Sequence, residues 1–191
     1  MIPASQGTPN SYFFQPNAIR GTRAQVHSVQ FDDLRNGNLV AASTAIRPGR
    51  ACAFTAGSAG GYSYQPILNI TAIAPAFVAA DFAGIISGDI WQERIGQISN
   101  AVDADTTTVT AQPGDLIPRA VKGEWWVEVD SLAGISRGVV AQVLTAAGVN
   151  QGAFSAAGGV ALTGVLVFTG RTTTVGGLPF AVVKFVQELV A

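Results

Sequence analysis

His27 is the only histidine of the 191-residue chain, and it stands in VHSVQFDD, where Ser28, Asp32 and Asp33 could complete a nucleophile, base and orienting acid. Strand alternation defeats that set, because it places His27 with Val29 and Phe31 and away from Ser28, Gln30 and Asp32. One imidazole also excludes the multi-histidine sites of cupin-type barrels, and one cysteine, Cys52, excludes a cysteine-based zinc site and an intrachain disulfide. Three carboxylate pairs have the residue type for glycosidic acid/base work: Asp32/Asp33, Asp103/Asp105 and Glu124/Glu128. The first opens a turn and the second lies in a Thr-rich loop. The third shares a strand face with Lys122 and Asp130, which reads as a solvated face. A Ser-Lys dyad would need Lys122 or Lys184, but Lys122 falls at a turn and a nucleophilic amine requires burial. No GxxxxGK[ST] or GxGxxG follows a strand, so phosphate cradling is not expected. The expectation is a protein that is not an enzyme and carries no cofactor and no metal.

Composition points the same way. Charged residues make up 12% of the chain, where a soluble domain ordinarily has about 25%. Much of the surface must then be small or apolar, as suits a subunit covered by neighbours. The formal net charge is -1, with 11 basic residues against 12 acidic and no basic cluster, so nucleic acid is not an expected partner. The most apolar stretch, residues 67–86, is interrupted by Asn69, Thr71, Pro75 and Asp81, so no membrane span is expected either. The N-terminal residues lack the basic end and apolar run of a secretory signal.

Around these residues the chain divides in two. Residues 1–25 read as an extended N-terminal arm, with Pro3, Pro9 and Pro16 against helix and with an aromatic group, Tyr12, Phe13 and Phe14, available for contact. Residues 26–191 read as a single β-rich domain of short runs parted by turn residues. Asn36-Gly37 is a turn signal before a strand over 39–46, residues 51–54, 67–73 and 82–86 are further strands, and 91–102 allows one short helix. PGDLIPRAVKGEWWVEVD, residues 113–130, reads as a hairpin turning at Lys122-Gly123. Runs over 139–144, 160–168 and 180–189 follow, the last fitting strand better than helix because of its β-branched content. The predicted class is all-β, a small β-barrel or jelly-roll/β-sandwich with at most one or two short helices.

One feature of the 113–130 stretch resists the pattern. Alternation sends Trp125, Val127 and Val129 to one face and leaves Trp126 among Lys122, Glu124, Glu128 and Asp130 on the other. A large ring there is covered by this chain or meets a partner. Trp126, with Tyr62 and Tyr64 of the Gly-rich loop and the arm's Tyr12, Phe13 and Phe14, forms the set of candidate interaction residues.

From residue 82 onward the order of segments resembles the capsid cement, or head-decoration, proteins of tailed bacteriophages. The resemblance rests on DFAGII at 81–86, PGDLIPRAVKGEWWVEVD, GISRGVVAQVL, GAFSAAGG at 152–159 and a closing β-rich segment, with SAGGYSYQPI and ILNITA matching more loosely. The tandem Trp125-Trp126 and the stretch 87–112 depart from the family's pattern. The resemblance implies a structural virion protein on the capsid exterior, made in the host cytoplasm, that binds the major capsid protein and itself as a dimer or trimer. The competing expectation is a glycan- or receptor-binding β-sandwich of a phage tail or fibre, with Trp126, Tyr62 and Tyr64 stacking on sugar rings.

Overall fold

The computed structural model describes residues 34–41, 43–55, 68–87, 113–114 and 116–189, together with Gly21 and Ala24. In chain order the strands are β1 (Leu34–Leu39), β2 (Ala51–Phe54), β3 (Leu68–Ala72), β4 (Phe82–Ile86), β5 (Leu116–Ala120), β6 (Glu124–Glu128), β7 (Gln142–Val143), β8 (Phe154–Ser155), β9 (Val160–Ala161), β10 (Leu166–Val175) and β11 (Leu178–Phe185). A 3-10 turn at Ala79–Asp81 is the helical element among the described residues. The protein is all-β, as its short apolar runs and turn residues predict.

Five strands close a barrel in the order β1-β3-β2-β4-β5. β5 completes it by pairing antiparallel with β1, from Leu34 opposite Ala120 to Asn38 opposite Leu116, while β1 and β3 run parallel. The barrel is filled by Leu39, Cys52, Ile70, Ala83, Ile86 and Ile117, with Ile46 from the loop before β2. Closure removes the free edges that five short strands would otherwise expose.

A second sheet, β10-β11-β6, lies against the outside of the barrel, and a small sheet, β8-β7-β9, adjoins it. Trp125, Val127, Phe154, Phe168, Leu166, Val183 and Phe185 pack with Ala51, Phe82, Ile85 and Ala120 of the barrel in one continuous core. The rings of Phe82 and Phe185 stack with centroids 6.5 Å apart. β4 is buried at every residue because one face fills the barrel and the other meets the second sheet. A continuous apolar run, FAGII, is what such a strand requires.

Several local expectations are corrected. Asn36-Gly37 is not a turn but lies inside β1, paired with β5. A Cβ on Gly37 would stand 2.6 Å from Ile70 Cδ1, so the glycine makes room for a core side chain. The 113–130 stretch is not a hairpin: β5 pairs with β1 and β4, and β6 pairs with β11. The turn at Lys122-Gly123 is real, with Gly123 at φ 89°, but it is a corner carrying the chain from the barrel to the second sheet. Trp125 seals that corner, its Nε1 donating to the Lys122 carbonyl at 2.6 Å. Third, the run expected to end at 168 continues, so that the Thr-rich residues 171–175 belong to β10, and Gly176-Gly177, both at positive φ, make the two-residue turn into β11. Fourth, the run over 160–168 is broken, since β9 ends at Ala161 and β10 starts at Leu166. The final segment is strand as far as Phe185 and not to 189, with Val183 opposite Trp125 and Val182 opposite Trp126. The expected helix over 91–102 lies outside the described residues.

Candidate interaction site

Trp126 projects from β6 away from the main core and packs with Phe180 and Val182 of β11, with Ala24, Val175 and Leu178 at the edge of the cluster. It is 7% exposed. The Arg171 guanidinium lies 5.4 Å from the ring centroid and completes the cover. Gly21 donates its N–H to the Trp126 carbonyl at 3.0 Å and Ala24 donates to the Glu124 carbonyl at 2.8 Å, so these two residues of the N-terminal region lie on the outer edge of β6. The tryptophan on the charged face is thus sheltered by its own chain. Tyr12, Phe13, Phe14, Tyr62 and Tyr64 lie outside the described residues, as do His27, Asp32, Asp33, Asp103 and Asp105.

Glu128, expected on a solvated face, is buried. Its Oε1 accepts from Arg50 Nη2 at 2.6 Å and from Arg47 Nη2 at 3.2 Å. Both arginines flank the Pro-Gly of RPGR, the loop that leads into β2. Arg50 also donates through Nη1 to the Gln151 carbonyl at 2.8 Å and through Nη2 to the Val149 carbonyl at 2.5 Å. Arg47 reaches the same Val149 carbonyl at 3.1 Å. One acid and two guanidinium groups therefore tie together the barrel, the end of β6 and the loop 145–152. Backbone bonds from Gly152 N to Leu144 O at 2.8 Å and from Ala51 N to Gly152 O at 2.9 Å hold the base of that loop.

The loop tip is apolar and points outward. Ala146, Ala147 and Gly148 are exposed, and Val149, whose carbonyl both arginines hold, is 80% exposed. A tip anchored by charge-assisted hydrogen bonds has already lost much of the freedom that binding would otherwise cost it. Beside the loop is a half-enclosed cavity of about 130 Å³ whose lining includes Thr44, Arg47, Arg50, Gln151 and Gly152. Arg50 Nε is buried with no hydrogen-bond partner among the described residues.

This cluster escaped the sequence because its members are far apart in the chain, Arg50 and Glu128 by 78 positions and Arg50 and Val149 by 99. The available signal was two arginines in one short turn of a chain poor in charge.

Among the described residues a second buried cation is Arg119, which enters the barrel beside Ile117. Its Nη1 donates to the Ala83 carbonyl at 2.5 Å and its guanidinium lies 5.1 Å from the Phe54 ring centroid. Burial pulls the Arg119 pKa below its ordinary value, the Cys52 thiolate would raise it, and Arg35 lowers it. Cys52 faces this group. Burial pushes its thiol up to about 12 from 9.0, outweighing the opposing effects of Arg119 and a backbone hydrogen bond, and its Sγ donates to the Gly84 carbonyl at 3.4 Å. A fully buried, protonated thiol is neither nucleophile nor metal ligand. Among the described residues no three His, Cys, Asp or Glu side chains are grouped to hold a metal ion.

The Cys52 environment has a pH consequence. In the unfolded chain the thiol ionises near 9, whereas in the folded chain it stays neutral to about 12. Its contribution to stability is therefore complete below pH 9 and declines by roughly 1.4 kcal/mol per pH unit as pH rises toward 12. Urea denaturation of the wild type and Cys52→Ala between pH 8 and 11 is expected to show a stability difference that shifts against the wild type above pH 9. A difference constant with pH would contradict this placement of the thiol.

The fold and site define a class: a small closed β-barrel with an apposed sheet and an anchored, outward-facing apolar loop. Compared with protein-family models, curated proteins and solved structures, the chain matches none.

Proposed function

We infer that this chain is a structural virion protein that binds the outside of an assembled phage capsid and cements neighbouring major capsid protein subunits, acting as a dimer or trimer. The observation that carries the reading is the loop 145–152, an exposed apolar tip held from beneath by Arg47 and Arg50. An apolar side chain 80% exposed on an anchored loop favours docking, because little ordering entropy remains to be lost. The low charge of the chain agrees, since interface cores are depleted in charge.

Cementing follows from linkage. A protein that binds the assembled lattice and not its separated subunits adds its binding free energy to the closed state by mass action. An oligomer contacting several coat subunits gains further through effective concentration. No bond need be made or broken. The protein is expected to co-sediment with purified heads of the phage that encodes it, and Val149→Asp, at an exposed position, is expected to weaken that binding roughly tenfold without moving Tm. Failure of the wild-type protein to sediment with those heads overturns the reading.

A further inference from the structure

We propose that two copies of this chain pair through the second half of β10, edge to edge and antiparallel about a two-fold axis at Thr173, so that their outer sheets join into one. In the sheet β10-β11-β6 the two outer strands end differently. The outer edge of β6 bonds to Gly21 and Ala24. The outer edge of β10 is covered along its first part, where Gly138 N donates to Phe168 O at 2.9 Å and Phe168 N donates to Val139 O at 2.8 Å. β10 then runs on to Val175, and among the described residues no segment bonds to the outer side of residues 172–175.

Which groups this edge offers follows from the turn. Gly176-Gly177 is a two-residue turn, so Val175 and Leu178 exchange hydrogen bonds with each other, whereas Thr174 and Pro179, the next pair, do not. Pro179 has no N–H to give, and its carbonyl accepts from Val129 N, on the side of β6, at 3.2 Å. Alternation therefore turns the N–H and C=O of Thr172 and Thr174 outward, away from β11. Both residues are exposed.

This edge complements itself. Thr172 and Thr174 stand on either side of Thr173, so in a two-fold antiparallel pair Thr172 of one copy lies opposite Thr174 of the other and exchanges both backbone bonds with it, while Thr173 faces its own counterpart. Every outward group of residues 172–174 then has a partner. The side chains that meet are threonines, which favour strands and pair across them. Edges are ordinarily guarded by a charge or a proline. The charge here, Arg171, is turned back over the sheet, with its guanidinium 5.4 Å from the Trp126 ring centroid and Nη1 donating to the Ala24 carbonyl at 3.2 Å. In the pair it lies opposite Val175, so no like charges face each other. The second copy's Gly176-Gly177 turn passes beside Gly170 and Arg137 and brings no side chain to clash there. The pairing stands on the geometry of the sheet and does not rest on the capsid reading.

Sedimentation equilibrium of the full chain over roughly 5–500 µM should show monomer and dimer with a Kd of about 10–100 µM, as fits a contact smaller than a permanent interface. Thr174→Pro removes an outward N–H and leaves the bonds between β10 and β11 in place, so it should weaken dimerisation at least ~10-fold with circular dichroism unchanged. Two cysteine variants test the register and decide the matter even if the proline variant fails to fold. Residues opposed in a non-bonded antiparallel pair stand about 4.5 Å apart at Cα, within disulfide reach. Mild oxidation should therefore link Thr173→Cys into a covalent dimer, and should link Thr172→Cys, which is offset from its own counterpart, at least ~10-fold more slowly. The native Cys52 is buried and does not compete. The proposal is overturned if the wild type stays monomeric throughout or forms trimers, if folded Thr174→Pro dimerises as the wild type does, or if the two cysteine variants link at equal rates.

Discussion

Glu128→Ala is expected to lower Tm by about 10 °C or more, far beyond what a charge on a strand's solvated face would do. The carboxylate is 5% exposed and the Arg50 side chain 9%, so neither has water to fall back on when the other is removed. Taking one partner from a buried ion pair costs about 3–5 kcal/mol, chiefly because the remaining charge is stranded. Arg47, more exposed at 22%, loses the same acceptor and adds less. Glu128→Gln keeps an acceptor oxygen but not the charge, so its loss should be intermediate. Replacing the pair with apolar residues, Arg50→Met with Glu128→Leu, should recover much of the stability lost in Glu128→Ala. It should not restore the loop: the carbonyls of Gln151 and Val149 lose their Arg50 donors, and amide exchange across 145–152 should quicken in the double variant while the barrel amides stay protected. Thermal and urea denaturation measure the first effect. A stability change under about 1 kcal/mol for Glu128→Ala would mean that the pair is hydrated and worth no more than a surface contact.

The same residue marks where sequence reading stopped. Alternation along β6 correctly sent Trp125, Val127 and Val129 to the core, because that assignment depends only on local geometry. It could not say whether the opposite face met water. On that face Glu128 meets Arg47 and Arg50, and Trp126 meets Phe180, Val182 and Arg171, all supplied by distant segments. The turn at Lys122-Gly123 was legible for the same reason that the pairing of its flanks was not. Turn chemistry is written in two residues, whereas the choice of β1, β4 and β11 as partners depends on where the apolar faces of the whole chain can be buried. Asn36-Gly37 shows the converse error, a strong local turn signal overridden because Ile70 needs the space that a side chain at position 37 would fill. The candidate interaction loop carries no local signal of its anchoring, since the arginines that hold it lie about a hundred positions earlier in the chain.

Gly84→Ala is expected to be the most damaging single-methyl addition in the barrel. Strict alternation along β4 would place Phe82 and Ile86 on one face and Ala83 and Ile85 on the other. The observed burial is different: Ala83 and Ile86 fill the barrel, while Phe82 and Ile85 join the core against the second sheet. A bulge produces this change. Cys52 pairs with Gly84 and Ala53 pairs with Phe82, which leaves Ala83 as the extra residue. Its carbonyl is met by the buried Arg119 Nη1. Gly84 sits at φ +136°, and a Cβ there would lie 2.4 Å from the backbone oxygen of Ala120 in β5, an atom that cannot swing aside. The alanine must therefore adopt a glycine-only conformation and also push β4 from β5, where Ile85 pairs with Ala120 and Ile86 with Arg119. Strain of about 1–3 kcal/mol and overpacking of about 1–3 kcal/mol together predict a loss of roughly 4 kcal/mol. Gly158→Ala is the control: its φ is +82° but nothing lies within 4 Å of the added methyl, so only about 1–2 kcal/mol of backbone strain is expected. Cys52 supplies a local readout, because its Sγ bonds to the Gly84 carbonyl and is wholly buried. In the folded wild type the thiol should resist a thiol-exchange reagent at pH 8. In Gly84→Ala, under conditions where circular dichroism still reports a folded chain, it should react as the seam between β4 and β5 opens. Equal losses of stability in the two glycine variants, with Cys52 still protected in both, would show that β4 tolerates a side chain at the bulge and that the change of face along this strand has another cause.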